Sequence, residues 1–313
     1  MSKLPLSDDD INSFLNQPVM HPSFNKALKH IQKAHSSFGR APLSCYVTGE
    51  PGVGKSFLVK TAKSKILKTV VKSKDNNTIP VVLIKLRPGA LPERVKKAIL
   101  TELGVDTQGY AGENLDILFK KQLIVCGVVL IIFDEFQHLL RLSDKDVNRN
   151  AANFIKTIID DHRIPVVLTG IPEGKKLFKL SKELRTRIRN AGELEEMSLD
   201  EKKSREYFKK FIEKLMSTFP IESVNLSEGD NLDRLFLAIQ GNLRSLEDLL
   251  SEVLSENREG LKKLELKDYQ AAYEFVRIED LYDGNNKVIA PFTGKNISVI
   301  KNRLKKPFLR RSK

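Results

Sequence analysis

The chain has 313 residues, of which 41% are hydrophobic and 30% charged, enough apolar material for one large or two modest cores; this excludes an intrinsically disordered chain. The formal net charge is +13, but Lys287, Lys295, Lys301, Arg303, Lys305, Lys306, Arg310, Arg311 and Lys313 all follow Asp283, beyond which no Asp or Glu occurs. Removing those nine leaves +4 for residues 1–283, so the basicity belongs mainly to the end of the chain.

The opening MSKLPLSDDD has no apolar signal core, and the strongly apolar run Leu123–Phe133 is interrupted by Gly127 and too short to span a bilayer. Cys45 and Cys126 lie in apolar surroundings without metal-ligand spacing. These features lead us to expect a reduced, cytoplasmic protein with no membrane partner.

In chain order, helical periodicity over Phe24–His35 precedes an apolar strand, Leu43–Thr48, and a helix over Lys55–Lys72. A strand over Ile79–Leu86 follows, then helices over Pro92–Leu103 and Glu113–Ile124. Val128–Phe133 reads as a strand buried on both faces. A helix over Asn148–His162, a strand over Pro165–Thr169, a helix over Pro172–Leu180 and a strand over Glu193–Met197 complete the alternation. Strands alternating with helices predict an α/β fold around a central parallel five-stranded sheet. Beyond Ser198 only helical patterns remain. Ser198 with Glu201 predicts a capping box for a helix reaching Met216, and further helices fall at Leu232–Ile239, Leu243–Glu256 and Lys267–Phe275. The expected division is an α/β domain over 1–198, a small C-terminal helical subdomain over 199–283 and a mobile basic tail over 284–313. Such a tail suits a nucleic-acid backbone, an acidic protein or plain solubility.

Between the first strand and its helix lies Gly49-Glu50-Pro51-Gly52-Val53-Gly54-Lys55-Ser56, with Phe57 next inside the helix. Glycines let main-chain N–H groups close around phosphate oxygens, and the helix N-terminus adds a favourable field. Lys55 would reach the β- and γ-phosphates of ATP, and Ser56 would place its hydroxyl on Mg²⁺. The strand Val128–Phe133 delivers Asp134 and Glu135 to its C-terminal edge. Asp134 suits the Mg²⁺ shell, and Glu135 the orientation of an attacking water. Thr169 ends the strand IPVVLT, where its hydroxyl could bond the γ-phosphate or that water, or serve simply as a strand-end hydroxyl.

These features together resemble a P-loop NTPase of the AAA+ type. The segments GEPGVGKS, LIIFDEFQHLL (130–140), VVLTGIPEGKKLF (166–178) and ELRTRIRN (183–190) resemble, more narrowly, the TniB/TnsC transposition ATPases. That family's Walker B segment runs D-E-hydrophobic-Q-H-L, matched by Asp134 to Leu139, and its fourth strand leads into a G-x-P-E turn, matched by Gly170 to Glu173. The stretch Met20-His21-Pro22-Ser23-Phe24 looks like the family's approach to the adenine pocket, which implies nucleotide contacts at His21 and Pro22. By the AAA+ resemblance, Arg244 in Gly241-Asn242-Leu243-Arg244 would be a second sensor. Arg187, or else Arg185, would be a finger reaching a neighbouring subunit's site; a solvated basic turn is the plainer reading. Arg94, Lys96 and Lys97 are candidates for phosphate contacts with DNA, or a solvated helix face.

The resemblance covers about residues 15–260. It implies an ATP- and Mg²⁺-dependent ATPase that assembles as a ring, a heptamer among the forms, or as a helical filament on duplex DNA. It also implies a bridge between a TniQ-like target selector, in some members CRISPR-guided, and a TnsB-like transposase. An origin-recognition or helicase-loader ATPase and a nucleotide-gated scaffold with negligible turnover are the alternatives.

Overall fold

The computed structural model describes residues 5–17, 21–69, 78–140, 144–175, 178, 181–259, 263–277, 280–282, 287–294, 298, 300 and 304. The chain divides into two compact units, Pro22–Glu195 and the pair of segments Met1–His21 and Glu196–Lys313.

The first unit holds β1 (Ser44–Gly49), β2 (Val81–Lys85), β3 (Leu130–Asp134), β4 (Val166–Gly170) and β5 (Ile188–Leu194) in one sheet of order β2-β3-β4-β1-β5. Every pairing is parallel, so all five C-terminal ends lie along one edge. Its helices are α2 (Pro22–His35), α3 (Lys55–Thr69), α4 (Pro92–Glu102), α5 (Gly112–Val125), α6 (Lys145–Asp160) and the short α7 (Lys182–Arg187).

Side chains alternate across a strand. Val82 and Ile84, Ile131 and Phe133, Val166 and Leu168, and Tyr46 join α4, α5 and α6 in one continuous core. The intervening residues, Leu130 and Ile132, Val167, Cys45 and Val47, are buried on the opposite face, the side on which α2 and α3 pack. Each large apolar side chain so buried stabilises the fold by about 1.5–3 kcal/mol. Both cysteines are buried free thiols.

The second unit contains α1 (Asp8–Leu15), α8 (Lys202–Met216), α9 (Gly229–Ile239), α10 (Leu243–Glu256) and α11 (Leu266–Val276). Ile11 and Phe14 of α1 bury into the core formed by Phe208, Phe236, Leu250 and Tyr269. The first residues of the chain thus belong with the C-terminal helices, which corrects the expected 1–198 grouping.

The structure corrects four other expectations. The strand expected at Glu193–Met197 begins five residues earlier, at Ile188. Ser198 forms no capping box with Glu201; its hydroxyl engages Asp200, and Glu201 is itself the N-cap of α8. Pro172–Lys175, where a helix was expected to begin, is a 3-10 turn; Phe178 is helical, and 176, 177, 179 and 180 lie outside the described residues. The mobile-tail expectation also fails where the segment is described. Ile289, Phe292 and Ile300 are buried in the helical core. Arg234 donates Nη1 to the carbonyls of Pro291 and Phe292 at 2.8 and 3.2 Å, and Nη2 to that of Gly294 at 2.9 Å. The end of the expected helix to Lys72, Met20, and the basic residues Lys295, Lys301, Arg303, Lys305, Lys306, Arg310, Arg311 and Lys313 lie outside the described residues. No helix among the described residues is long and apolar enough to cross a membrane.

Candidate functional site: the phosphate loop and the β3–β4 edge

β1 ends at Gly49, and the loop from Glu50 turns into α3 at Lys55. Gly52 and Gly54 carry φ of 83° and 92°, backbone that side-chain-bearing residues rarely adopt. The first turn of α3 holds no acidic residue of its own, which suits an anion at its N-terminus. Lys55 is buried, and its Nζ donates to the carbonyls of Gly49 and Glu50 at 2.8 and 2.9 Å. Burial pushes its pKa below the usual lysine range, against the opposing pull of Glu135, Asp134 and Glu50. Phe57 lies one step further along α3, its ring 6.0 Å from that of Phe24 on α2.

Register and alternation bring the remaining groups together. Phe133 pairs with Leu168, and Val47 with Thr169. Asp134 and Thr169 therefore follow one another across the sheet, and both point to the face covered by α3. There the Ser56 hydroxyl donates to Asp134 Oδ2 at 2.7 Å, and the Thr169 hydroxyl donates to Oδ1 at 2.6 Å. The backbone N–H of Glu135 also donates to Oδ1, at 3.0 Å. Asp134 is thus a buried carboxylate that accepts three hydrogen bonds, one at Oδ2 and two at Oδ1.

Among the described residues no three His, Cys, Asp or Glu side chains gather as a metal cluster. Ser56 and Asp134 instead present two oxygens side by side at the mouth of the phosphate loop. This donor set fits Mg²⁺, which is held by one or two protein oxygens together with phosphate oxygens and water. The loop's conformation, the buried ammonium and the clear helix N-terminus fit a triphosphate.

Glu135 follows with φ 58° and ψ 44°, in the left-handed region, as β3 gives way to a 3-10 turn over Phe136–Leu139. Gln137 Nε2 donates to Glu135 Oε2, and Gln137 Oε1 accepts from the N–H of Ile171 at 3.3 Å. The Tyr46 hydroxyl donates to the Ile171 carbonyl at 2.7 Å. Sequence reading attached no role to Gln137 or Tyr46. The signal for Gln137 in the sequence was its place in the D-E-hydrophobic-Q-H-L match over Asp134 to Leu139.

The arginines after β4 separate. Arg187 donates Nε to both oxygens of Asp160 at 2.7 Å, and Nη1 to the Glu183 carbonyl at 2.9 Å. Arg187, the first-ranked finger candidate, is thus paired within its own chain. Arg185, also on α7, is exposed, with no ion pair to any described residue. Among the DNA candidates, Lys96 pairs with Asp116 and lies over the Phe154 ring at 5.9 Å, and Lys97 pairs with Glu93 at 3.5 Å. Arg94 is exposed. His21 and Pro22 stand where one unit gives way to the other; burial pushes the His21 pKa down to about 4. Arg244 lies exposed in the first turn of α10, which Asn242 caps.

Comparison with known proteins places this architecture. The Aeropyrum pernix ORC2 protein, solved as ADPNP–ADP complexes, is similar with a TM-score of 0.61 at 14% identity, covering 82% of this chain and 68% of that one. Cdc6p from Pyrobaculum aerophilum gives 0.62 at 14% identity, covering 88% and 73%. The Aeropyrum pernix ORC1 protein in complex with DNA gives 0.54 at 13% identity, covering 88% and 66%. At such identities the likeness is one of fold alone. No curated protein matches the chain in sequence. The family model described as Bacterial TniB protein matches residues 14–196, more than half of the chain. That span contains the phosphate loop, the Asp134–Glu135 strand end and Thr169, and on this match the chain belongs to the TniB family.

Proposed function

We propose that the chain is a Mg²⁺-dependent ATPase whose nucleotide state governs its assembly on duplex DNA during transposition. The observation that carries this reading is the convergence of Lys55, Ser56, Asp134, Thr169 and Glu135 at one sheet edge. Lys55 leaves its loop carbonyls for phosphate oxygens when ATP is held. Ser56 and Asp134 would hold a Mg²⁺ ion, which would supply charge neutralisation at the phosphates. Glu135 orients a water whose oxygen bonds to the γ-phosphorus as the bond to the β,γ-bridging oxygen breaks. ADP leaves with that electron pair, and a proton from the water passes to Glu135.

Family membership supports transposition as the setting, with a TniQ-like selector and a TnsB-like transposase as partners. Self-assembly would bring the exposed Arg185 to a neighbouring subunit's phosphates. The fold likeness to ORC2, Cdc6p and ORC1 supports a second reading, an origin-recognition or loader ATPase.

The test is steady-state phosphate release and electron microscopy of the full chain with ATP, Mg²⁺ and duplex DNA. Lys55→Ala should abolish ATP binding and assembly. Glu135→Gln should keep binding, lower turnover by roughly 10²–10⁴-fold and stabilise rings or filaments. Folded wild-type protein without ATP affinity would overturn the reading. A strong preference for one DNA sequence would favour the origin-recognition alternative.

A further inference from the structure

Gln137 does two things with one amide. A carboxamide carries donors on one atom and acceptors on the other, and here it faces a carboxylate at one end and a backbone N–H at the other. Only one of its two flip orientations satisfies both neighbours. A leucine would satisfy neither, and an ionised glutamate would oppose Glu135. The left-handed backbone at Glu135 makes the arrangement possible, because it reverses the chain so that the residue two places on returns over the carboxylate. Phe136 and Leu139, both fully buried, hold that reversal in place; such backbone persists only where its surroundings over-determine it.

The far end of the link is fitted just as closely. Gly170 is the last residue of β4, next to Thr169, and a Cβ added there would lie 2.5 Å from Gln137 Oε1. The Ile171 carbonyl is held from the other side by Tyr46. The carboxylate beyond β3 and the backbone leaving β4 are thus joined through a single side chain.

We propose that Gln137 is a positioning residue: its amide yokes the Glu135 carboxylate to the backbone at Gly170–Ile171, so that the aim of the water-orienting group follows the exit of β4. The inference rests on the ATPase reading above and adds to it a mechanical connection between the two strand ends. A shift of the Gly170–Ile171 backbone would turn Glu135 away from the water without disturbing the phosphate loop. ATP binding and ATP turnover are then separable at Gln137.

The experiment uses the full chain with duplex DNA and compares phosphate release with ATP affinity. Gln137→Ala should lower kcat by about tenfold or more while KM and ATP affinity hold. Gly170→Ala, which drives a methyl into the amide, should lower kcat similarly; in the Gln137→Ala background it should cost nothing further. Gln137→Glu sets two carboxylates in contact, which favours sharing one proton. Its turnover should therefore recover relative to wild type as pH is lowered from about 8 to 6, and a merely structural role would not produce that recovery. The isosteric glutamate variant also decides the matter should the alanine variant fail to fold. Active wild type with full kcat in Gln137→Ala, losses that multiply across Gly170→Ala and Gln137→Ala, or an unchanged pH profile in Gln137→Glu would each overturn the inference while leaving the ATPase reading standing. A wild-type chain that binds ATP and never turns it over would remove both.

Discussion

The Ser56 hydroxyl donates to the Asp134 carboxylate across 2.7 Å, tying the first turn of α3 to the end of β3. Both oxygens belong to the proposed cation site, so losing either should act through the metal before it acts on the nucleotide. Ser56→Ala and Asp134→Asn should each raise the Mg²⁺ concentration for half-maximal phosphate release by about tenfold or more. A magnesium titration at saturating ATP checks this, and an unchanged requirement in both variants would refute the shared site.

Arg187 and Asp160 form a partly exposed pair between α7 and α6, whereas Arg185 is exposed. Arg187→Ala should lower stability by about 1 kcal/mol, and Asp160→Ala combined with it should add little. Arg185→Ala should leave the melting temperature unchanged but reduce DNA-stimulated turnover, with activity returning when the variant is mixed with Glu135→Gln subunits, which still assemble and carry Arg185. A fall in turnover confined to Arg187→Ala would reverse the assignment.

Neighbouring basic residues on α4 should differ in the same way. Arg94→Ala should weaken duplex binding and reduce the slope of log affinity against log salt by about one. Lys96→Ala loses its contacts with Asp116 and Phe154, so it should cost about 1 kcal/mol of stability and leave the slope alone. Fluorescence anisotropy across a salt series, beside urea melts, separates the two.

His21 predicts acid sensitivity. Its folded pKa of about 4 lies below the usual 6.5 because burial disfavours the charged ring. Between those values the unfolded chain binds a proton that the folded chain refuses. The contribution is intact above pH 6.5 and drains as pH falls towards 4, by at most about 3 kcal/mol. His35 and His162 shift in the same direction, also through burial. His21→Gln should therefore flatten, not abolish, the fall of the urea midpoint over that range.

The candidate site can be read from the sequence because its chemistry is local. Gly49 to Ser56 are contiguous, and Asp134 and Thr169 end apolar runs that could only be buried strands. β5 was misplaced because IRNAGEL alternates buried and exposed positions and carries Arg, Asn and Gly, unlike the interior strands. Helix α1 was missed although Ser7 and Asp10 form a capping box; three aspartates obscured the two apolar residues that seat it. The Arg187–Asp160 pair and the Gln137 link were out of reach because each depends on residues brought together by folding. Glu135's left-handed backbone likewise follows from what is packed behind it.

The grouping of α1 with the C-terminal helices has a consequence for synthesis. Residues 22–195 contain everything their own sheet and core require, so this unit can close while the rest of the chain is still being translated. Ile11 and Phe14, made before it, find their seat only after the helices beyond residue 200 have emerged. Helix α1, made before that unit, is therefore among the last elements to dock. A chain stopped near Glu195 would carry a finished sheet unit and an amphipathic helix whose apolar side, Ile11 and Phe14, has nowhere to go.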